Sequence, residues 1–286
     1  MGDADGGLSQ RRTYPSTRQV GDQGIAIEDG EFRESRLAAV YDALDPDRID
    51  LDMYERVVRV EVGATSVLDI GCGTGVFALR LARAGLAVVG IDPAEASIDI
   101  ARNKPGADAV TWHVGTVTEL SSVQVDTVTM TANVAQVFLS DEDFSAALRA
   151  AWASLNPGGV IVFEARRPED RGWERWTPER TRRSVEIPGA GLVETWVELC
   201  SVEGEFTTHL VPVVFHENDE RYDSVSTLRF RSRDAIESAL QDAGFTIHDV
   251  RDLEYAPGRG WLYVATKRDD AAIEASSSFV ADRIFG

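Results

Sequence analysis

The stretch Val67-Leu68-Asp69-Ile70-Gly71-Cys72-Gly73-Thr74-Gly75-Val76 constrains what this chain can fold into more than any other. Ser66 to Ile70 is short, mostly apolar and free of helix punctuation, which fits a strand buried on both faces. Three glycines then alternate at 71, 73 and 75. Glycine accepts positive φ and has no Cβ, so the chain turns tightly and a ligand can lie against its backbone. Val76 to Ala84 is a run of good helix formers with an apolar face, stopped by Gly85. Strand, glycine turn and helix, in that order, aim free backbone N–H groups at a nucleotide-like ligand.

The residue types narrow that ligand. A dinucleotide fingerprint places its third glycine where this chain has Val76, and a phosphate-binding loop of the Walker type needs a lysine that is not near. What remains is an acidic residue just before a G-x-G-x-G turn. Asp69 at the strand end suits a cationic group, a sulfonium or an ammonium, better than a pyrophosphate. The next strand, Ala87 to Ile91, ends at Asp92, the acid roughly 20 residues past the turn that accepts from ribose hydroxyls in such folds.

Four blocks in order, Val67 to Gly75, Gly90-Ile91-Asp92, Val125-Asp126-Thr127-Val128 and Leu155-Asn156-Pro157-Gly158-Gly159-Val160-Ile161-Val162, resemble the class I S-adenosylmethionine-dependent methyltransferases. The resemblance covers roughly 40–166 and resumes near 232–267. It implies an α/β, Rossmann-like fold: a seven-stranded, mostly parallel sheet with helices on both faces. It implies S-adenosylmethionine as cofactor, an activity of the EC 2.1.1 type, and a small-molecule methyl acceptor. Cofactor contacts then fall to Asp69, Gly71, Cys72, Gly73, Gly75, Asp92 and Pro93, with Thr116 and Val117 on the adenine, where relatives carry an aspartate. The run Ala132-Asn133-Val134-Ala135-Gln136-Val137-Phe138 is similar to a stretch of the glycine and sarcosine N-methyltransferase branch. Asn133 and Gln136 are thereby expected at the donor's methionine end or at the acceptor, and Arg166 on an acceptor carboxylate. A surface ion pair of Arg166 with Glu169 or Asp170 is the structural alternative.

The rest of the chain alternates strand and helix over 66–71, 75–84, 86–92, 95–103, 110–115, 124–132, 141–155 and 159–166, the pattern of a parallel sheet covered on both faces. Helices are expected before it, over 32–44 and 51–62, with Tyr41 a candidate cover for the donor pocket. Ser140 and Ser232 are natural caps for the helices that follow them. Between 182 and 231 the period changes to two: Val193, Thr195, Val197 and Leu199 alternate with Glu194, Trp196, Glu198 and Cys200. This is an antiparallel β insertion after the fifth strand, with further strands at 206–217 and 222–231. Acceptor specificity belongs there, with His216 the candidate base beside Asn133 and Arg166 as catalytic residues. The domain reading is a flexible tail over 1–30, a cofactor-binding core over 31–166, the insertion over 167–231, the rest of the core over 232–267 and a second tail over 268–286. Tyr14 and Ile25-Ala26-Ile27 can fold over a ligand. Phe279, Val280, Ile284 and Phe285 can dock on the body or on a partner, which admits a homodimer.

Charge and cysteine content exclude some functions. The net charge of −19 repels polyanions, so neither nucleic acid nor an acidic membrane is expected as a partner. No apolar run approaches the roughly 20 residues of a membrane span, and no signal-peptide core is present. The two cysteines, Cys72 and Cys200, suggest neither a disulfide framework nor a metal site, which suits a reducing cytoplasm. Two rivals stay open from the residues: an NAD-dependent oxidoreductase, disfavoured by Val76, and a non-catalytic S-adenosylmethionine-binding protein.

Overall fold

Two sheets, one largely inserted in the sequence between strands of the other, divide the work of the chain. A computed structural model describes residues 25–120 and 122–268. The chain opens with β1 (Ile25–Glu28), α1 (Gly30–Arg33), α2 (Ser35–Leu44) and α3 (Asp50–Arg56). It continues through β2 (Ser66–Ile70), α4 (Val76–Arg83), β3 (Ala87–Asp92), α5 (Glu95–Arg102), β4 (Val110–Val114), β5 (Val125–Met130), α6 (Asp141–Ser154) and β6 (Leu155–Arg166). Then come α7 (Pro178–Thr181), β7 (Arg183–Ile187), β8 (Gly191–Thr195), β9 (Glu198–Glu203), β10 (Phe206–Phe215) and β11 (Glu220–Arg229), followed by α8 (Arg233–Asp242), β12 (Phe245–Asp252) and β13 (Gly260–Lys267).

The first sheet has seven strands in the order β12-β13-β6-β5-β2-β3-β4. β2 to β6 run parallel, and β13 lies antiparallel between β6 and β12. This is the α/β sheet that the sequence pattern implies. Its central strands are apolar on both faces because helices cover both. Leu68, Val128, Ile161 and Phe163 pack with Phe144 and Leu148 of α6 and Leu240 of α8. Val67, Val88 and Val162 pack with Tyr54 of α3 and Phe77 and Leu81 of α4. Ser140 accepts the Asp143 N–H at 2.9 Å and Ser232 the Ala235 N–H at 3.2 Å, so each serine caps its helix.

The second sheet runs β1-β11-β10-β8-β7, with β9 paired to the other end of β10. It is antiparallel apart from β1, which lies parallel to β11. Three expectations need correction here. Residues 25–28, placed in a flexible tail, form strand β1, because an open edge of β11 offers them backbone partners. The alternating run 193–200 is two strands, broken at Trp196-Val197, where the Val197 N–H is taken by the Thr181 hydroxyl at 2.8 Å. The helix expected over 51–62 ends at Arg56 and continues as a wider π-type turn over Val57–Glu61. Tyr14 and the apolar residues near 280 lie outside the described residues. Among the described residues no helix is long and apolar enough to cross a membrane.

Helix α2 joins the two sheets. Leu37, Val40 and Leu44 pack on Val193, Val213 and Phe215 of the second sheet. On its other side Asp42 accepts from the Thr74 hydroxyl at 2.6 Å and pairs with Lys104, which binds α2 to the glycine turn. At the far side Arg229, the last residue of β11, and Arg231 just after it reach Asp141 and the carbonyls of Leu139 and Ser140.

The glycine turn itself is built from two kinds of glycine. Gly75 has φ +80°, and a Cβ there would stand 2.4 Å from the Trp112 ring. Gly73 has φ +53°, and a Cβ there would meet nothing within 4 Å. Gly75→Ala is therefore expected to lower unfolding free energy by about 2–4 kcal/mol, from conformational strain plus overpacking. Gly73→Ala should lose only about 1 kcal/mol, the left-handed penalty alone. Urea unfolding of the two variants checks this; equal losses would contradict it.

Candidate active site

The order of the first sheet reverses at β2: β3 and β4 lie on one side of it, β5 and β6 on the other. Such a reversal opens a crevice at the carboxyl ends of the strands, because the connections leave in opposite directions. Asp69 stands near the end of β2 in that crevice and is 1% exposed. Its Oδ1 accepts the Thr129 hydroxyl of β5 at 2.7 Å, as the Asp69–Thr129 register dictates. Its Oδ2 is buried with no hydrogen-bond partner among the described residues. Burial pushes the carboxyl up to about 7; the Thr129 hydroxyl opposes this, Asp92 adds to it and Arg48 opposes it.

Asp92 closes the neighbouring side. Its Oδ2 accepts the Gly73 N–H at 2.9 Å and its Oδ1 the Ala94 N–H at 2.8 Å. Each carboxylate oxygen keeps a second lone pair. Burial raises this carboxyl above its ordinary range, although both N–H bonds pull it down. On the β5 side the chain turns through Ala132 and Asn133, both at positive φ (53° and 65°). Val134 of that turn rests on Gly71, whose Cβ, if present, would fall 2.5 Å from it. The contact seats the turn on the glycine loop and explains why position 71 lacks a side chain. Asn133 Oδ1 and both amide atoms of Gln136 are buried without partners among the described residues.

Behind this turn lies a carboxylate that was not among the expected site residues. Glu164 of β6 is fully buried; it accepts the Asn133 N–H at 3.0 Å and the Tyr255 hydroxyl. Burial raises its carboxyl, and hydrogen bonding from Tyr255 opposes that. The carboxylate thus holds the strained Ala132–Asn133 turn in place from below. Glu164 sits in an unbroken apolar run, where a carboxylate is out of pattern; that was its only signal.

Arg166, two residues on, is half-buried and forms no ion pair or hydrogen bond among the described residues. The surface pair with Asp170 does not form, since Asp170 is held by Arg175. Arg166 instead lies 5.5 Å from the Trp176 ring centre. Burial lowers its guanidinium from the usual range, with Glu164 opposing. Trp176 also packs on His209 of β10, 4.9 Å between ring centres. Burial and then the Arg166 charge push the His209 imidazole down to about 4, so it is neutral at pH 7. Its Nδ1 is buried and unpartnered among the described residues.

Several sequence candidates fall elsewhere. His216 follows the end of β10, seven residues and about 23 Å of strand from His209, and pairs at 3.7 Å with Glu194. It is not near the crevice, and the histidine beside Arg166 is His209. The Thr116 hydroxyl is engaged by Glu119 and Thr118 at 2.9 Å each, so only the neighbouring backbone is left for a ligand. Cys72 turns its thiol inward against Gly90, and burial holds that thiol well above its ordinary range. Pro93 is exposed between Asp92 and Ala94. Tyr41 packs on Phe32 at 5.3 Å and lines the space between α2 and the second sheet.

Residues 67–159, which hold the glycine turn, Asp92 and the β5 turn, match the methyltransferase domain family. Residues 67–159 form a methyltransferase domain. The domain is similar to the cypemycin N-terminal methyltransferase of Streptomyces sp, 34% identical over 37% of this chain and 43% of that protein. It is similar to the ubiquinone biosynthesis O-methyltransferase of Xanthomonas euvesicatoria pv. vesicatoria (strain 85-10), 27% identical over 79% of this chain and 80% of that one. The chain spans about two fifths of the length of the curated relatives that it matches at more than 30% identity. Among solved structures it resembles an amino pentose methyltransferase of Micromonospora echinaspora, determined with S-adenosylmethionine bound. That likeness has a TM-score of 0.61 at 25% identity over 80% of this chain and 97% of the other.

The methyltransferase domain's own residues fit that cofactor. An unpartnered carboxylate oxygen at Asp69 matches an amino acid's ammonium, two free lone pairs at Asp92 match a ribose, and the space over Gly73 admits the nucleoside. A cationic group at Asp69 Oδ2 selects the ionised carboxylate, whereas the free protein protonates it below about pH 7. Affinity for S-adenosylhomocysteine should therefore weaken at least about tenfold between pH 7.5 and 5.5. In Asp69→Asn the dependence should vanish. Calorimetric titration across that range checks both statements, and a flat wild-type profile would contradict them.

Proposed function

We propose that this chain transfers a methyl group from S-adenosylmethionine to an oxygen or nitrogen of a small molecule. The observation that carries the reading is the convergence, in one crevice, of the buried unpartnered atoms of Asp69, Asn133 and Gln136 with the unpaired guanidinium of Arg166. Buried polar groups are nearly always hydrogen-bonded, so an unsatisfied set on two adjacent strand ends points to a polar ligand. The net charge of −19 supports a small acceptor over a nucleic acid.

When bound, the sulfonium supplies an already activated methyl group. What the chain's residues then do is hold and align. Asp69 takes the ammonium of the donor's amino acid end, Asp92 its ribose hydroxyls, and the backbone at Val117 its base. Glu164 and Tyr255 fix the Asn133 turn, which sets where Asn133 and Gln136 point. Alignment of this kind supplies much of the rate in a displacement that needs little bond activation. Arg166 binds an acceptor carboxylate through two parallel hydrogen bonds. His209, neutral at pH 7, offers one ring nitrogen to the acceptor. The second sheet reaches the crevice through His209, which packs on the Trp176 ring beside Arg166. The relatives' names include an O-methyltransferase and a methyltransferase of an amino pentose, which supports a small acceptor and leaves oxygen and nitrogen both open.

The test is incubation of the protein with S-adenosylmethionine and carboxylate-bearing amines and phenols, followed by mass spectrometry for methylated product. Arg166→Ala should raise KM for a turned-over carboxylate acceptor by roughly 10–100-fold, the loss of a charge-assisted hydrogen bond. Its S-adenosylhomocysteine affinity should stay within about twofold. Unchanged KM, or a wild type that binds no S-adenosylhomocysteine, would refute the assignment.

A further inference from the structure

The glycine turn has to hold one shape although its residues favour many. Gly73 and Gly75 both sit at positive φ, and without a Cβ each passes readily into other conformations. Gly75 is held by packing: a Cβ there would crowd the Trp112 ring and stand 2.9 Å from Ala101 of α5. Around Gly73 no side chain does the same, and its open side is the space that admits the nucleoside.

Thr74, between the two glycines, is gripped twice. Its hydroxyl donates to Asp42 Oδ1 at 2.6 Å, and its carbonyl accepts from Lys104 Nζ at 2.7 Å. Asp42 Oδ2 pairs with Lys104, which closes a ring of three residues. Thr74 is 5% exposed, so water competes little for its polar groups. Both grips come from braced elements. Asp42 lies on α2, whose Leu37, Val40 and Leu44 pack on the second sheet. Lys104 stands in the turn after α5, where its N–H donates to the Ala101 carbonyl at 3.2 Å and its carbonyl accepts the Ala107 N–H at 3.1 Å. Holding one residue by both side chain and carbonyl fixes the peptide plane that joins Thr74 to Gly75.

The ion pair alone does not explain this arrangement. Its side chains are 36% (Asp42) and 20% (Lys104) exposed, and pairs of that kind contribute little stability. What the two groups hold matters more than their mutual attraction.

We propose that Asp42 and Lys104 are positioning residues for the methyl donor, acting through Thr74. By clamping it they keep the Gly73 N–H on Asp92 and the space over Gly73 open. The proposal rests on the methyl-transfer reading above and adds two residues to it that lie outside the expected cofactor contacts. Without the clamp the turn samples several conformations, and donor affinity falls by the fraction of time spent in the competent one.

The test is calorimetric titration of the full chain with S-adenosylhomocysteine, joined to hydrogen exchange of the 71–76 amides. Asp42→Ala and Lys104→Ala should each weaken binding roughly tenfold, as the competent turn loses population. The double variant should bind little worse than either, because each loss frees the same turn. Asp42→Asn keeps an oxygen that accepts the Thr74 hydroxyl and should stay within about threefold of wild type. Arg233→Ala, which removes an exposed pair with Glu237 on α8, should leave affinity unchanged. In the ligand-free protein Asp42→Ala should quicken exchange over 71–76 while β5 and β6 exchange as in wild type, a pattern that general loss of stability does not produce. Equal affinity of wild type and both alanine variants, or faster exchange spread over the whole first sheet, overturns the proposal. A wild type that binds no S-adenosylhomocysteine overturns the methyl-transfer reading and the donor role with it; that failure is distinguishable, since the ligand-free exchange still reports the clamp.

Discussion

A carboxylate oxygen withdrawn from water with nothing to bond to is the constraint on which the rest of this structure turns. Asp69 is 1% exposed, satisfied on one oxygen by Thr129 and unsatisfied on the other. An unmet buried acceptor of this kind destabilises a fold by about 1–3 kcal/mol, more if it is charged. The fold nevertheless surrounds it with further unmet groups at Asn133 and Gln136. It adds two successive residues at positive φ, one of them an alanine with no special tolerance for it. Strain and unmet polarity concentrated on two strand ends are what a binding site looks like before its ligand arrives.

The supports around that spot are rigid where they must be. Asp92 pins the glycine turn through the Gly73 N–H, and Glu164 pins the opposite turn through the Asn133 N–H. Both are buried carboxylates that accept backbone donors, so each fixes a loop that would otherwise have several conformations. Above them, α2 serves two masters: its apolar face belongs to the second sheet and its Asp42 to the glycine turn. Anything that shifts the second sheet therefore acts on the glycine turn through α2. The same coupling gives the antiparallel insertion its influence on what the crevice admits.

Much of this was legible in the residues. The alternation of short apolar runs with helical ones fixed the parallel sheet, because strands buried on both faces leave no polar period. Asp69, the three glycines and Asp92 were legible because turn geometry and strand ends restrict residue type strongly. Serine caps at 140 and 232 were legible for the same reason. What escaped was everything set by distance in space. Glu164 hides in an apolar strand and reaches its role only through Asn133 and Tyr255, 31 and 91 residues away. His209 lies within β10 and His216 just past its end, and no periodicity says which of them meets Arg166. Strand β1 is four residues whose partner, β11, lies almost 200 residues on, so its pairing left no local trace. Thr116 was read as a ligand contact, yet a glutamate three residues later claims its hydroxyl in a local cap.

The central claim is that the unmet groups on the ends of β2 and β5 are completed by an adenosyl amino acid. A crystal structure of the protein with S-adenosylhomocysteine tests it most directly. The account predicts the ligand's ammonium within hydrogen-bonding distance of Asp69 Oδ2, its ribose hydroxyls on Asp92, and the Gln136 amide newly paired. A ligand bound elsewhere, with Asp69 Oδ2 still alone or bonded only to water, would contradict it.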